Sequence, residues 1–366
     1  MDDDARETLP PGWDPGWAVA WTGAAPAGGL VPARVVRIDK GGITTSTGGD
    51  DEQLVVAAKA VRRVVVGDMV GLDAGAGRIE SILPRRTVFE RRSPGVGRDQ
   101  VQVLSRALAS NMDVVLVLQG LDGGVNAPRL ARELVLAWES GAMPVVCLTK
   151  TDLVPDDEVA AGRALATSWA PGAHVVCISA RSDDGLSELH EVLGAGGTRP
   201  PHVVALLGAS GAGKSSLVNA LAGHKVQLTA EVREGDRRGR HTTTAGQIVP
   251  LPGGDLVIDT PGIRGVGLWA ADEGLEQAFA DLQPFAEECR FDDCTHRTEP
   301  GCGILAGVES GGLDAARVDM WHELVAELES LEAGMELMDR DTERQGNQRA
   351  RRKAQRRDDR NADDGE

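Results

Sequence analysis

The chain of 366 residues has no tyrosine, only four phenylalanines and five cysteines, and its 39 lysines and arginines are outnumbered by 56 aspartates and glutamates. Each shortage excludes something. No apolar run is long enough to span a bilayer, so no membrane association is expected. The opening MDDDARETLPPGWDPGW is acidic and rich in Pro and Gly, the opposite of the charged-then-apolar pattern of a secretion signal, so a cytoplasmic location is expected. A formal net charge of −17 argues against non-specific affinity for nucleic acid, but docking depends on where the charges lie. Hydrophobic residues, at 41%, suffice for sizeable cores, and the length exceeds one typical domain.

Residues 1–30 read as a disordered leader in which Trp13, Trp17 and Trp21 are exposed ornaments, with docking on the body or a partner as the alternative. From Ala33 the pattern turns to short alternating segments, RVVRI, GITTST, QLVVAA, GDMVGL and RIESILP, separated by Gly- and Asp-rich turns. Five such strands suit an OB-fold, with an SH3-like barrel left open. The strands carry no aromatics, so base stacking is expected to be weak and phosphate contact to dominate. Farther on, the near-continuously apolar DVVLVL, PVVCLTK and HVVCISA alternate with helical stretches around Pro128–Ser140, Asp156–Ser168 and Gly185–Leu193, which indicates parallel α/β. After Asp314 an amphipathic helix carries Met320, Leu324, Leu328 and Leu331 on one face, read as core contacts.

What the α/β part holds is a phosphate loop. The strand HVVALLG runs into GASGAGKS (Gly208, Ala209, Ser210, Gly211, Ala212, Gly213, Lys214, Ser215) and then a helix-like segment beginning with Ser216. Glycines let backbone N–H groups converge on a β-phosphate, Lys214 reaches the β- and γ-oxygens, and the Ser215 hydroxyl can hold Mg²⁺. TKTD (Thr149, Lys150, Thr151, Asp152) and SA (Ser179, Ala180) each follow an apolar strand, where open parallel sheets place ligand groups. The Asp152 carboxylate can accept from both guanine N1–H and the exocyclic amine, which adenine cannot present; the Lys150 stem can cover the ring, and the Ala180 N–H can reach O6. Thr149 stands where Asn is usual, a shorter hydroxyl with some expected loss of affinity.

DTPG follows the strand DLVI, placing Asp259 to bind Mg²⁺ through water and the Gly262 N–H to meet a γ-phosphate. Between these motifs, GRHTTT offers Thr243 as a further Mg²⁺ ligand in the triphosphate state. Ile263 follows DTPG where many GTPases carry the Gln that orients the attacking water, so slow intrinsic hydrolysis is expected.

Three of the five cysteines and one histidine form C-x₄-C-x-H-x₅-C: Cys289, Cys294, His296 and Cys302. Three thiolates and an imidazole make the closed tetrahedral set of a structural Zn²⁺ site. A disulfide is the alternative, but it leaves one thiol over and ignores His296. Cys147 and Cys177 lie within apolar strands and read as packing residues.

TKTD, SA, GASGAGKSSLVN, GRHTTT and DTPGIR occur with the phosphate loop after the base motifs, the reverse of the ordinary GTPase order. In that order, and with the cysteine cluster, the chain over roughly residues 31–340 closely resembles the circularly permuted ribosome-biogenesis GTPases of the RsgA type. The resemblance implies a Mg²⁺-dependent GTPase that binds GTP and GDP, docks on the small ribosomal subunit and its rRNA late in assembly, and leaves after hydrolysis stimulated by the subunit. It also makes His241 the nearest candidate to position the attacking water, against an ordinary loop residue meeting RNA or solvent. With Lys214 and Thr243, His241 completes the expected catalytic set. Where the family reads REFGL after DTPG this chain has RGVGL, with Gly265 and Val266 in place of the acid and the aromatic.

The expected organisation is a leader (1–30), an OB-fold-like RNA-binding domain (31–90), a circularly permuted P-loop GTPase domain (91–270), a mainly helical zinc-binding domain (271–340) and a basic then acidic disordered tail (341–366), in a monomer. Arg62, Arg63, Arg85, Arg86, Arg91 and Arg92, then Arg233, Arg237, Arg238 and Arg240, then RQGNQRARRKAQRR form three basic clusters for RNA. The alternatives are a P-loop GTPase in translation control or signalling with no ribosomal role, and a non-enzymatic RNA-binding zinc protein whose nucleotide site is a structural prop.

Overall fold

A computed structural model describes residues 9–24, 28–49, 51–61, 63–96, 101–194, 202–226, 246–259, 268 and 271–334. The alternating segments become β1 (Val31–Asp39), β2 (Gly42–Gly48), β3 (Asp51–Ala57), β4 (Met69–Asp73) and β5 (Arg78–Ile82). Their order is β1-β2-β3-β5-β4, and β4 pairs back onto β1, so the sheet closes into a barrel. The β3–β5 pair is parallel, which requires a crossover between them and fits the Greek-key OB arrangement. Inside lie Ala33, Val35, Val55, Val70, Leu72 and Ile79.

Residues 9–24 correct the expectation of a disordered leader. They include the helix α1 (Pro15–Ala24), entered through Asp14, whose carboxylate accepts from Trp17 N–H at 2.9 Å. Trp17 is not an ornament: it is 3% exposed and packs with Met69 and Leu83. The Arg86 guanidinium lies 3.9 Å from the centre of the Trp17 ring and also bonds both Asp14 oxygens. Spacing of four residues puts Trp13, Trp17 and Trp21 on one side of this segment, a pattern outweighed at the sequence level by its Pro, Gly and acidic composition.

An antiparallel ribbon, β6 (Val88–Val96) and β7 (Val101–Ser110), follows the barrel and was not anticipated. Next come β8 (Val114–Gly120), α2 (Ala127–Glu139), β9 (Met143–Thr149), α3 (Asp156–Trp169), β10 (His174–Ile178), α4 (Leu186–Leu193), β11 (Val203–Gly208) and α5 (Lys214–Ala222), then β12 (Gly246–Pro250) and β13 (Leu256–Asp259). The strand order is β10-β9-β8-β11-β13-β12; only β12 runs antiparallel to its neighbour β13, and it also pairs with β1. Alternation along each strand supplies two cores. Val115, Val117, Val146 and Leu148 face α2 and α3, while Leu116, Leu118, Val145 and Cys147 face α4 and α5.

The C-terminal part is helical: α6 (Asp272–Ala278), α7 (Gln283–Ala286), α8 (Gly303–Glu309) and a helix α9 over 315–334. Met320, Leu324 and Leu328 are buried as expected, and Leu331 is half-buried. Helix α6 crosses α2 so closely that a Cβ on Gly274 would sit 2.3 Å from Val135 O, which only glycine allows. Buried Arg317 ties the layers together, donating to both Asp281 oxygens at 2.7 Å, to Ala278 O at 2.6 Å and to Trp169 O at 3.1 Å.

Candidate nucleotide site and metal centre

The chain steps outward from β8 to β9 to β10, then returns to lay β11 against the other side of β8, with β13 beyond it. Crossovers therefore diverge at β8 and β11, and a crevice opens at the carboxyl ends of those strands. Every nucleotide motif of the described residues ends a strand there: Gly208 on β11, Thr149 on β9, Ser179 directly after β10 and Asp259 on β13.

The phosphate loop has the backbone its glycines predict. Gly211 and Gly213 have φ of +81° and +88°, and α5 begins at Lys214. At Gly208 a Cβ would come 2.6 Å from Leu118 O, so β11 could not lie this close to β8 with a larger residue. Lys214 is buried, and its ammonium donates to Gly208 O at 2.7 Å and to Ala209 O. Ser210, Ser215 and Ser216 are exposed around the loop and the first turn of α5. This set can cradle an anion with backbone N–H groups, a helix N-terminus and one ammonium.

Thr149 meets the loop from the base side. Its hydroxyl donates to Ala212 O at 2.8 Å, and a Cβ on Gly213 would lie 3.2 Å from Thr149 Oγ1. The shorter side chain thus still reaches the phosphate loop. Lys150 takes the left-handed conformation at φ +63°, followed by a 3₁₀ turn over Thr151–Leu153 that presents an exposed Asp152. The buried Ser179 hydroxyl donates to Asp152 Oδ1 at 2.8 Å while accepting from Arg181 and Ser182 N–H at 3.2 Å, so one carboxylate oxygen is held in place. Half-buried Ala180 is next in the chain.

Two contributors escaped sequence reasoning. Asp122 Oδ2 accepts from Lys150 Nζ at 2.7 Å, pinning the lysine stem, and the only signal for it was an acid soon after a strand end. Buried Gln119, beside Thr149, donates to Glu133 Oε2 at 2.8 Å. Burial pushes the Glu133 carboxyl up to about 7, although Gln119, Arg129 and Lys214 oppose the shift. Asp259 is half-buried at the end of β13. His241, Thr243, Gly262 and Ile263 lie outside the described residues, as do Arg62, Arg233, Arg237, Arg238, Arg240 and the basic tail.

The first basic cluster is partly spent on the fold. Arg85 donates to Asp68 Oδ1 at 2.7 Å and Oδ2 at 2.9 Å, and this buried aspartate also accepts from Ser110 Oγ and Val65 N–H. Arg86 is committed to Asp14 and Trp17.

Between α7 and α8 the four sequence-predicted ligands come together, with all ligand atoms within 4.8 Å of one another. His296 Nδ1 is 3.3 Å from Cys289 Sγ and 3.5 Å from Cys302 Sγ, and the two sulfurs are 3.9 Å apart. A tetrahedral Zn²⁺ with Zn–S of ~2.3 Å and Zn–N of ~2.0 Å has S···S edges of about 3.8 Å and S···N edges of about 3.5 Å. The cysteines are free thiols with no disulfide among them, and the three edges among Cys289, His296 and Cys302 fit the ion. Surrounding groups hold the ligands: Gly303 N–H donates to Cys289 Sγ, His322 Nε2 lies 3.2 Å from His296 O, and the Trp321 and His296 ring centres are 5.7 Å apart.

Comparison with known proteins agrees with this geometry. The RsgA GTPase family profile matches residues 82–269. A protein of Streptomyces coelicolor, named small ribosomal subunit biogenesis GTPase RsgA, is 43% identical over 323 residues, covering 86% of this chain and 85% of the relative. One of the same name from Syntrophotalea carbinolica is 41% identical, covering 84% and 86%. Among solved structures, YjeQ from Thermotoga maritima superposes with a TM-score of 0.60 at 25% identity, covering 82% of this chain and 98% of that one. YloQ, described as a circularly permuted GTPase, superposes at 0.58 with 22% identity and supports the fold.

Proposed function

Because this chain belongs to the RsgA family of circularly permuted GTPases, we propose that it hydrolyses GTP on the small ribosomal subunit during the subunit's assembly, in the cytoplasm. The observation that carries this is the meeting of base and phosphate elements at one sheet edge, joined by the Thr149–Ala212 hydrogen bond. Asp152, oriented by Ser179, accepts from the guanine N1–H and amine; Lys150, pinned by Asp122, covers the ring; and the Ala180 N–H meets O6. Residues Gly208 to Ser216 enclose the phosphates, with the Lys214 ammonium exchanging its loop carbonyls for phosphate oxygens. Ser215, Thr243 and Asp259 would hold Mg²⁺, which supplies neutralisation of the charge that grows on the phosphate oxygens. Gly262 meets the γ-phosphate, and His241 positions the attacking water when the subunit is bound.

Cys289, Cys294, His296 and Cys302 would hold Zn²⁺ as a structural staple, with no ligand position left for substrate. The OB-type barrel and the remaining arginines face rRNA, and the factor departs as GDP-bound monomer. A role in signalling without the ribosome is disfavoured by the names of relatives that align over most of the chain. GTP turnover measured with and without purified small subunits tests the proposal. Stimulation, with salt-sensitive co-sedimentation, is expected; turnover indifferent to subunits contradicts it.

A further inference from the structure

The four zinc ligands are not framed alike. Cys289 follows α7 and Cys302 caps α8, and their two arms are cross-tied, with Arg290 N–H donating to Gly301 O at 3.0 Å and Gly303 N–H to Cys289 Sγ at 3.3 Å. Cys294 and His296 lie instead in turns and bends, outside any helix or strand. His296 also has φ +60°, the left-handed region that a residue with a Cβ enters only at a cost. A ligand held on an irregular turn in that conformation calls for a group that keeps the turn in shape.

Glu299 is placed to do this. Its Oε1 accepts from Thr295 N–H at 3.1 Å and from the Thr295 hydroxyl, while Oε2 accepts from Arg297 N–H at 2.9 Å and Thr298 N–H at 3.0 Å. The two oxygens therefore grip the chain on either side of His296. The Glu299 carbonyl accepts from Cys302 N–H at 3.3 Å, so one residue joins the turn of the histidine to a second ligand. The Thr295 hydroxyl, followed by the backbone N–H groups, holds the Glu299 carboxyl well below the usual carboxylate range, and hydrogen bonds to a charged acceptor are the stronger kind. Both oxygens are thus occupied by protein donors, and Glu299 is not among the side chains whose ligand atoms converge. It works from beside the metal position.

We propose that Glu299 is the positioning residue of the zinc site, its carboxylate shaping the 295–298 turn so that His296 stands at its ligand position before the metal arrives. The proposal rests on the zinc reading of Cys289, Cys294, His296 and Cys302 and adds to it the group that prepares the site. Without the carboxylate, the metal-free turn relaxes out of the left-handed conformation and zinc must restore it on binding. The cost then falls on metal affinity and hardly at all on the metal-free fold.

The test uses the full chain and zinc alone as the probe. Zinc affinity is measured by competition with a chromophoric chelator, and melting temperatures are taken with and without the metal. Glu299→Gln keeps the size but turns an NH₂ toward N–H donors, and it is expected to weaken zinc ~10–100-fold, the usual cost of losing a partner that orients a metal ligand. Thr295→Val removes one donor and leaves the three backbone N–H groups, so its loss should be smaller. The metal-free melting temperature of Glu299→Gln should match that of the wild type, while the zinc-loaded one should fall. Cobalt substituted for zinc should show tetrahedral thiolate bands in both proteins, since no ligand has been changed. A contact made equally with and without metal would lower both melting temperatures and leave the affinity alone; that result overturns the proposal and spares the zinc site. Loss of the tetrahedral bands in Glu299→Gln would mean that a ligand had gone rather than its placement, and would also overturn it. Wild-type protein that takes up no zinc would overturn the zinc reading and the proposal together.

Discussion

Thr149 Oγ1 donates to the carbonyl of Ala212 at 2.8 Å, so the segment that reads the base also braces the loop that holds the phosphates. Removing the hydroxyl while keeping the shape isolates this link. Thr149→Val leaves the Ala212 carbonyl unpaired beside a residue that is 4% exposed. Loss of one partner of a buried hydrogen bond costs ~1–3 kcal/mol, so GDP affinity is expected to fall about tenfold. Titration calorimetry checks this, and unchanged affinity would mean the loop holds its shape alone.

The Asp122–Lys150 pair is partly exposed, at 44% and 28%, which limits its worth. Such pairs contribute ~0.2–1 kcal/mol, so Asp122→Asn should raise KM for GTP no more than about fivefold and leave kcat alone. In a Lys150→Ala background, Asp122→Asn should have no further effect on KM, because Asp122 acts only through the lysine. Independent losses in the double variant would show that Asp122 does something else.

Metal analysis should find one zinc per chain, and removing it should act locally first. Structural zinc supplies ~10–16 kcal/mol of apparent binding free energy, while residues 289–302 between α7 and α8 are mostly turn with few buried side chains. A chelator, or Cys294→Ser, should lower the melting temperature and change the emission of Trp321, whose ring lies beside His296. Full stability and unchanged emission after metal removal would contradict a structural role.

Glu133 makes a pH prediction with a definite sign. Burial raises its folded pKa from the ordinary 4.5 to about 7, so the folded chain holds this proton more tightly than the unfolded chain. That contribution to stability is fully present below about 4.5 and is lost as pH rises through about 7. Glu133→Gln removes the charge, so its urea midpoint should exceed the wild-type midpoint by more at pH ~8 than at pH ~5. Equal differences at both pH values would place the carboxylate in a better solvated setting.

Much of this was legible because the motifs carry their own backbone requirements. Gly211 and Gly213 need left-handed φ, and apolar strands running into TKTD and GASGAGKS announce a parallel sheet with its ligand edge. The Cys/His spacing encodes a closed ligand set for the same reason. Pairings between distant segments were not legible: Asp122 with Lys150, Ser179 with Asp152, and Arg86 with Asp14 are separated by 28, 27 and 72 residues, and no local pattern links them. The N-terminal helix was missed because Pro and Gly in the leader outweighed a tryptophan spacing that makes sense only once Met69 and Leu83 offer it a surface.

The central claim is that guanine is read by Asp152 at the same sheet edge that holds the phosphates. Calorimetry with GDP, ADP and XDP on wild type and Asp152→Asn tests it most directly. Wild type is expected to bind GDP and not ADP, and the variant to lose GDP and gain XDP, whose ring presents an oxygen where guanine has its amine. Equal uptake of ADP by the wild type, or unchanged GDP preference in the variant, would contradict it.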